Sequence, residues 1–334
     1  MSWWAGRGAG LLATLRGEPA AAPAQNGDVP VTREILRQVR QIELRTRGLV
    51  TSIFGGEYQS VFRGQGMEFS EVREYVPGDD VRNIDWNVTA RAGHPYVKKH
   101  VEERELTVLL VVDLSGSEQF GTRRRFKAEL AAELAAVLAL SAVRNNDRIG
   151  LIIFSDRIEH VVPPRKGRRH VLRMIRDLLA FRPLGRGTDI AGALDSAARL
   201  LRHRGILFLL SDFAPAVAAD GSPAADAGRL EKTLRLVSRR HDVIGISISD
   251  PAELELPAVG IVAVRDPETG DVAYADTGSA ELRDLFRAAH TRERDETRRL
   301  FRRLGVDEIE VRTDQPYVKP LLAFFRRRER LRSR

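Results

Sequence analysis

Asp113-Leu-Ser115-Gly-Ser117 places one carboxylate and two hydroxyls at alternate positions of a five-residue stretch. Small, hard oxygen donors of this kind suit Mg²⁺ or Mn²⁺ far better than zinc, which prefers Cys and His. Two further oxygen-bearing residues stand where one sheet edge would gather them. Thr188 lies in Arg186-Gly-Thr-Asp189, and Asp212 lies in Ser211-Asp-Phe213. Separations of 75 and 24 residues mean that only the fold can unite them with Asp113. Each residue alone has a plain explanation: the serines satisfy backbone groups in a tight turn, and Thr188 or Asp189 caps a helix. The full ordered set favours a divalent-metal site built by Asp113, Ser115, Ser117, Thr188 and Asp212.

The elements that must position these groups are readable from the apolar pattern. Six of the seven residues at 106–112 are aliphatic, the mark of a strand buried on both faces of a parallel sheet. That strand delivers Asp113 to its carboxyl end, where open α/β sheets bind ligands. A helix is expected over 123–144, capped by Thr122, then a strand over 149–154. A short edge strand over 158–162 should end at Pro163-Pro164. Helices over 169–181 and 190–202, a strand over 206–210, a helix over 230–239 and a strand over 243–248 continue the alternation. After a break at 251–277, with a hairpin loop at Asp266-Pro-Glu-Thr-Gly-Asp271, come a helix over 281–304, a strand over 309–311 and a basic helix. Alternation of this kind implies a mostly parallel sheet with helices on both faces.

Upstream, residues 32–47 read as an amphipathic helix through Ile35, Val39, Ile42 and Leu44. Residues 68–76 alternate partly, as a half-buried strand does. Pro77-Gly78 makes a turn, after which Asp79 or Asp80 caps a short helix carrying Val81, Ile84 and Val88 on one face. The expected organisation is a tail (1–31), an amino-terminal helix with its own α+β region (32–104), the α/β domain with the metal site (105–314), and a basic carboxy-terminal helix (315–334).

Composition narrows the function classes. The chain has 334 residues, 43% of them hydrophobic, and no stretch approaches the ~20 apolar residues that span a bilayer. Residues 11–15 form an apolar piece too broken for a signal-peptide core, so the segment reads as a tail. The absence of cysteine removes disulfides, thiolate metal sites and Cys nucleophiles together, in keeping with a cytoplasmic protein. The net charge of +8 is concentrated at 326–334, where six Arg stand against one Glu. Such a run invites a nucleic-acid reading. Without interleaved aromatic residues for base stacking, a solvated helix end is the better account.

With the five oxygen-bearing residues in view, the chain resembles von Willebrand factor A domains. The resemblance makes Asp113, Ser115, Ser117, Thr188 and Asp212 the five positions of a metal-ion-dependent adhesion site. It implies Mg²⁺ or Mn²⁺ with a coordination position left open for a carboxylate of a partner. A narrower likeness precedes it. Phe62-Arg-Gly-Gln-Gly-Met-Glu-Phe-Ser-Glu-Val-Arg-Glu-Tyr-Val-Pro-Gly-Asp-Asp80, followed by Val81-Arg-Asn-Ile-Asp-Trp86 and Ala90-Arg91, resembles the signature of domain-of-unknown-function family fifty-eight. That family joins the signature to a von Willebrand A-like domain, and some members carry two amino-terminal membrane helices. Membership implies a partnership with MoxR-type AAA+ ATPases in chaperone-like maturation of other proteins. Two readings of the signature stand. Arg73, Asp79, Asp80, Arg82, Asp85 and Arg91 form an ion-pair lattice around a buried Trp86, or they form a second docking surface.

Catalytic readings fare worse. A haloacid-dehalogenase nucleophile loop wants a second acid where Ser115 stands. Gly64-Gln-Gly66 lacks the third glycine of a dinucleotide loop, and the chain has no phosphate loop for ATP hydrolysis. None of the seven histidines lies in a recognisable base motif. The sequence thus points to a non-enzymatic, metal-dependent protein-interaction module. A nucleic-acid-associated protein and a Mg²⁺-dependent phosphohydrolase are the alternatives.

Overall fold

A computed structural model describes residues 33–52, 72–79, 81, 84–98, 106–119, 126–214, 226–265 and 271–332. Its centre is a six-stranded sheet formed by β3 (Thr107–Asp113), β4 (Arg148–Phe154), β5 (Ile158–Arg165), β6 (Ile206–Ser211), β7 (Asp242–Ser249) and β10 (Asp307–Arg312). The order across the sheet is β10-β7-β6-β3-β4-β5, parallel throughout except for β5, which runs antiparallel to β4. This is the doubly wound, mostly parallel α/β architecture that the alternation predicts.

Alternate residues of β3 feed two apolar layers. Val108, Leu110 and Val112 join one cluster, and Leu109 and Val111 join the other. On the first face lie α1 (Arg33–Ser52), α3 (Lys127–Arg144), α4 (Arg168–Ala180) and α9 (Val318–Arg332). On the second lie α5 (Ile190–Leu200), α6 (Asp226–Arg240) and α8 (Ala280–Leu304). All five residues from Val108 to Val112 are wholly buried, which explains their uniform aliphatic character.

Outside the main sheet, β1 (Val72–Glu74) pairs antiparallel with β2 (Tyr96–Lys98), and α2 (Trp86–Ala92) lies between them in sequence. A short helix, α7 (Pro251–Leu254), precedes the hairpin of β8 (Ile261–Arg265) and β9 (Val272–Asp276). The expected hairpin loop is therefore flanked by paired strands, although its residues 266–270 lie outside the described set.

Four local expectations need correction. The strand β5 does not stop at Pro163-Pro164 but runs to Arg165, because an edge strand has a side that needs no N–H donor. Helix α3 starts at Lys127, and Glu129 reaches back to accept the Phe126 N–H at 3.2 Å. Residues 121–125 lie outside the described set. Helix α2 starts at Trp86 with Asp85 as its cap, accepting from the N–H groups of Asn87 (3.0 Å) and Val88 (3.3 Å). Val81 is accordingly outside this helix and exposed. Trp86 is 66% exposed, so it is not the buried centre of an ion-pair lattice. Asp79 accepts the Val76 N–H at 3.0 Å and closes the Pro77-Gly78 turn. Asp80, Arg82 and the Arg73 side chain lie outside the described set.

The basic carboxy-terminal segment is an integral helix. Leu321, Phe324 and Phe325 of α9 are buried in the first cluster. Arg328 closes a bidentate pair with Asp242 at 2.7 and 2.6 Å and reaches Asp307 at 2.6 Å. No helix among the described residues is long and apolar enough to cross a membrane.

Candidate metal centre

The strand order reverses around β3, whose neighbours β4 and β6 lead the chain in opposite directions. This is the crevice position at which open α/β sheets bind ligands. In-register pairing of Val112 with Leu210 brings Asp113 level with Ser211. The Ser211 hydroxyl donates to Asp113 Oδ2 at 2.7 Å, and the Ser115 N–H donates to Asp113 Oδ1 at 2.9 Å. The chain then turns into a 3₁₀ segment, Gly116–Gln119, with the Ser115 and Ser117 hydroxyl oxygens 3.1 Å apart. Asp113, Ser115 and Ser117 are all buried.

Thr188 belongs to a loop that is fastened beside this turn. The Gly116 N–H donates to the Arg186 carbonyl at 2.8 Å, and the Asp189 N–H donates to the Ser155 carbonyl at 2.8 Å. One oxygen of Glu159 accepts the N–H groups of Leu184 (3.0 Å) and Gly185 (2.7 Å) as well as the Ser155 hydroxyl (2.7 Å). Asp189 caps α5 by accepting the Gly192 N–H at 2.8 Å. Thr188 itself is half-buried between these anchors.

Asp212 follows β6. A left-handed turn at Phe213 (φ 53°) lets the Ala214 N–H reach Asp212 Oδ1 at 3.0 Å. The other oxygen, Oδ2, lies 2.7 Å from the Nζ of Lys127. Lys127 is wholly buried and also lies 2.6 Å from Glu253 Oε1. The second oxygen of Glu253 accepts the Asp250 N–H at 2.9 Å. One more acid completes the group: Glu118, in the 3₁₀ segment, is wholly buried, and neither of its oxygens has a hydrogen-bond partner among the described residues. Oxygens of Asp113, Glu118 and Asp212 all lie within 4.8 Å of one another.

The electrostatics follow from this crowding. Burial, and then the Asp212 charge, push the Asp113 carboxyl well above the ordinary carboxylate range. Burial raises Glu118 strongly, with only partial relief from Lys127, and it raises Glu253 as well. Burial would raise Asp212 too, but the Lys127 ammonium and its hydrogen bond hold it below its usual value. For Lys127 burial works against the charge, and Asp212, Glu253 and Glu118 together reverse that and push it well up. Among the described residues, Asp212, Glu253 and Glu118 thus share the one Lys127 ammonium, with Asp113 beside Asp212. A narrow recess of about 60 Å³ adjoins the group, lined in part by Asp212, Glu253, His290, Glu293, Glu308 and Glu310.

Of the five residues read from the sequence, Asp113, Ser115, Ser117 and Asp212 come together in one buried knot. Thr188 sits on the loop tied to the backbone of Gly116. Sequence reasoning missed Glu118, Lys127 and Glu253. Glu118 directly follows Ser117, and an acid adjoining the two oxygen-bearing serines was a usable signal. Lys127 lies in the first turn of a largely Ala/Leu helix, where the helix dipole disfavours a cation. Glu253, 126 residues beyond Lys127, offered no local clue.

Comparison with known proteins agrees with the signature. A family model described as "Protein of unknown function DUF58" matches residues 71–296. The uncharacterized protein Rv1480 of Mycobacterium tuberculosis is 34% identical over 294 residues, covering 87% of this chain and 89% of that protein. The chain belongs to the DUF58 family. Among solved structures, it is similar to the conserved hypothetical protein BatB from Bacteroides thetaiotaomicron. There the TM-score is 0.42 at 14% identity, over 67% of this chain and 99% of the other. The VWA domain of SpRpn10 gives a TM-score of 0.35 at 12% identity, over 65% and 94% of the two chains.

Proposed function

We propose that this protein is a non-enzymatic, divalent-metal-dependent protein-interaction module. Asp113, Ser115, Ser117, Thr188 and Asp212 would hold Mg²⁺ or Mn²⁺ at the carboxyl edge of the sheet. The observation that carries this reading is the set of carboxylate oxygens from buried Asp113, buried Glu118 and partly buried Asp212, all within 4.8 Å of one another. Counting Glu253, four acids, three of them buried and Asp212 partly so, share one buried ammonium among the described residues, so full ionisation of this group leaves three excess negative charges. An uncompensated buried charge costs several kcal/mol, and protons or a divalent cation must remove that cost. Every donor in the knot is oxygen, which selects a hard cation over zinc or copper. The bound ion would supply a fixed positive charge at which a partner's acidic residue could dock.

The partner we propose is a MoxR-type AAA+ ATPase, or a client protein offering an acidic residue, within chaperone-like maturation of other proteins. Membership of the family whose signature runs from Phe62 to Arg91 supports that choice. A pulldown of purified MoxR-type ATPase by the full chain tests it, with and without EDTA and with Asp113→Ala as control. The reading predicts capture that EDTA and Asp113→Ala each abolish. Binding indifferent to both treatments would refute docking through the metal.

A further inference from the structure

We infer that Glu118 is a direct ligand of the ion, an acidic position additional to the five oxygen donors read from the sequence. This inference rests on the metal reading above. Glu118 is held in place by its backbone, since its N–H donates to the Ser115 carbonyl at 3.1 Å within the turn that follows Asp113. Its side chain is wholly buried, both oxygens lack a hydrogen-bond partner among the described residues, and one lies within 4.8 Å of oxygens of Asp113 and of Asp212. The ammonium in the knot is engaged elsewhere, at 2.7 Å from Asp212 and 2.6 Å from Glu253.

No donor among the described residues makes a hydrogen bond to the Glu118 carboxylate, and Lys127 acts on it only through its charge. A cation placed among the three carboxylates satisfies Glu118 and cancels the local charge in one step. A third charged ligand also changes what the site does. Ligand charge count raises affinity for hard divalent ions, so the ion is held by the free protein before any partner arrives.

The test is Mn²⁺ binding to the full chain, followed by the electron paramagnetic resonance signal of the free ion, alongside thermal melts in EDTA. Glu118→Gln keeps the shape and removes the charge. Its Mn²⁺ affinity should fall at least ~10-fold, since even residues that only orient metal ligands contribute that much. Its melting temperature in EDTA should match or exceed that of the parent, because an unpartnered buried charge is gone. Unchanged Mn²⁺ affinity in Glu118→Gln, with the parent binding the ion, overturns the assignment of Glu118 and leaves the metal site standing. Failure of the parent itself to bind Mn²⁺ overturns the metal reading and this inference with it. A variant that melts lower in EDTA, or does not fold, makes Glu118 a structural group and also overturns the inference.

Discussion

Lys127 Nζ lies 2.7 Å from Asp212 Oδ2, with the lysine wholly buried at the start of α3 and the aspartate just beyond β6. The contact spans 85 residues of sequence and ties the helix that follows the Asp113 turn to the neighbouring strand. A cation at a helix amino terminus opposes the helix dipole and is costly to desolvate. Its presence there makes sense only against the surrounding acids. Among the described residues, Lys127 is the resident counter-charge of the site, set against Asp212, Glu253 and Glu118.

Replacing Lys127 with Met should therefore destabilise the protein by about 3–5 kcal/mol, the cost of leaving one side of a buried ion pair unmatched. Urea unfolding in EDTA measures it. Added Mg²⁺ should restore part of the loss, because the ion substitutes for the missing charge. Unaltered stability of Lys127→Met would show that the pair contributes nothing.

Acid-base behaviour carries a definite sign. Burial lifts Glu293, helped by Glu296 and Asp212, from 4.5 to about 7. Asp113, Glu118 and Glu253 are raised as well. Each binds its proton more tightly folded than unfolded, so its stabilising contribution is complete below the ordinary carboxylate value and is lost as pH rises through the raised one. Asp212 acts in the opposite sense, since its depressed value gives stability that is lost as pH falls below 3.8. In EDTA, melting temperature should decline between pH 4.5 and pH 7, the window of Glu293. Mg²⁺ should flatten that decline. Melting temperatures that climb across this range without metal would contradict the assignment.

The carboxy-terminal helix is expected to behave as core. Phe325 is wholly buried against the sheet, so Phe325→Ala should cost about 3–5 kcal/mol. Arg328→Ala would strand Asp242 and Asp307 and should also lower stability, though less, because those carboxylates are partly exposed. Chemical denaturation of both variants checks this. A chain cut before Val318 that kept full stability would show α9 to be an appendage.

Much of the fold could be read in advance for a simple reason. Strands β3, β4 and β6 are buried on both faces, which demands runs without polar side chains such as Val108 to Val112 and Ile149 to Phe154. Asp113 was legible because it ends such a run. The edge was harder. Pro163 and Pro164 read as a stop, yet β5 carries them beside a register shift at Gly150, where an added Cβ would meet the Val162 carbonyl at 2.9 Å.

What escaped the sequence was mostly non-local pairing. Asp212 was correctly placed at the carboxyl end of its strand, but its partner Lys127 belongs to a different element, and Glu253 to a third. Trp86 misled because aromatic size suggests burial, whereas the helix it begins is capped by the small, buried Asp85 and turns the ring outward to 66% exposure. Glu118 sat next to the recognised serines and was passed over because the borrowed five-residue pattern ends at Ser117.

Calorimetric titration of the metal-free full chain with Mg²⁺ tests the central claim most directly. The account predicts saturable binding of a single ion, absent in Asp113→Ala at protein concentrations where circular dichroism still reports the native fold. No heat of binding from the parent, or equal binding by Asp113→Ala, would mean that the buried acids around Asp113 do not hold a divalent cation.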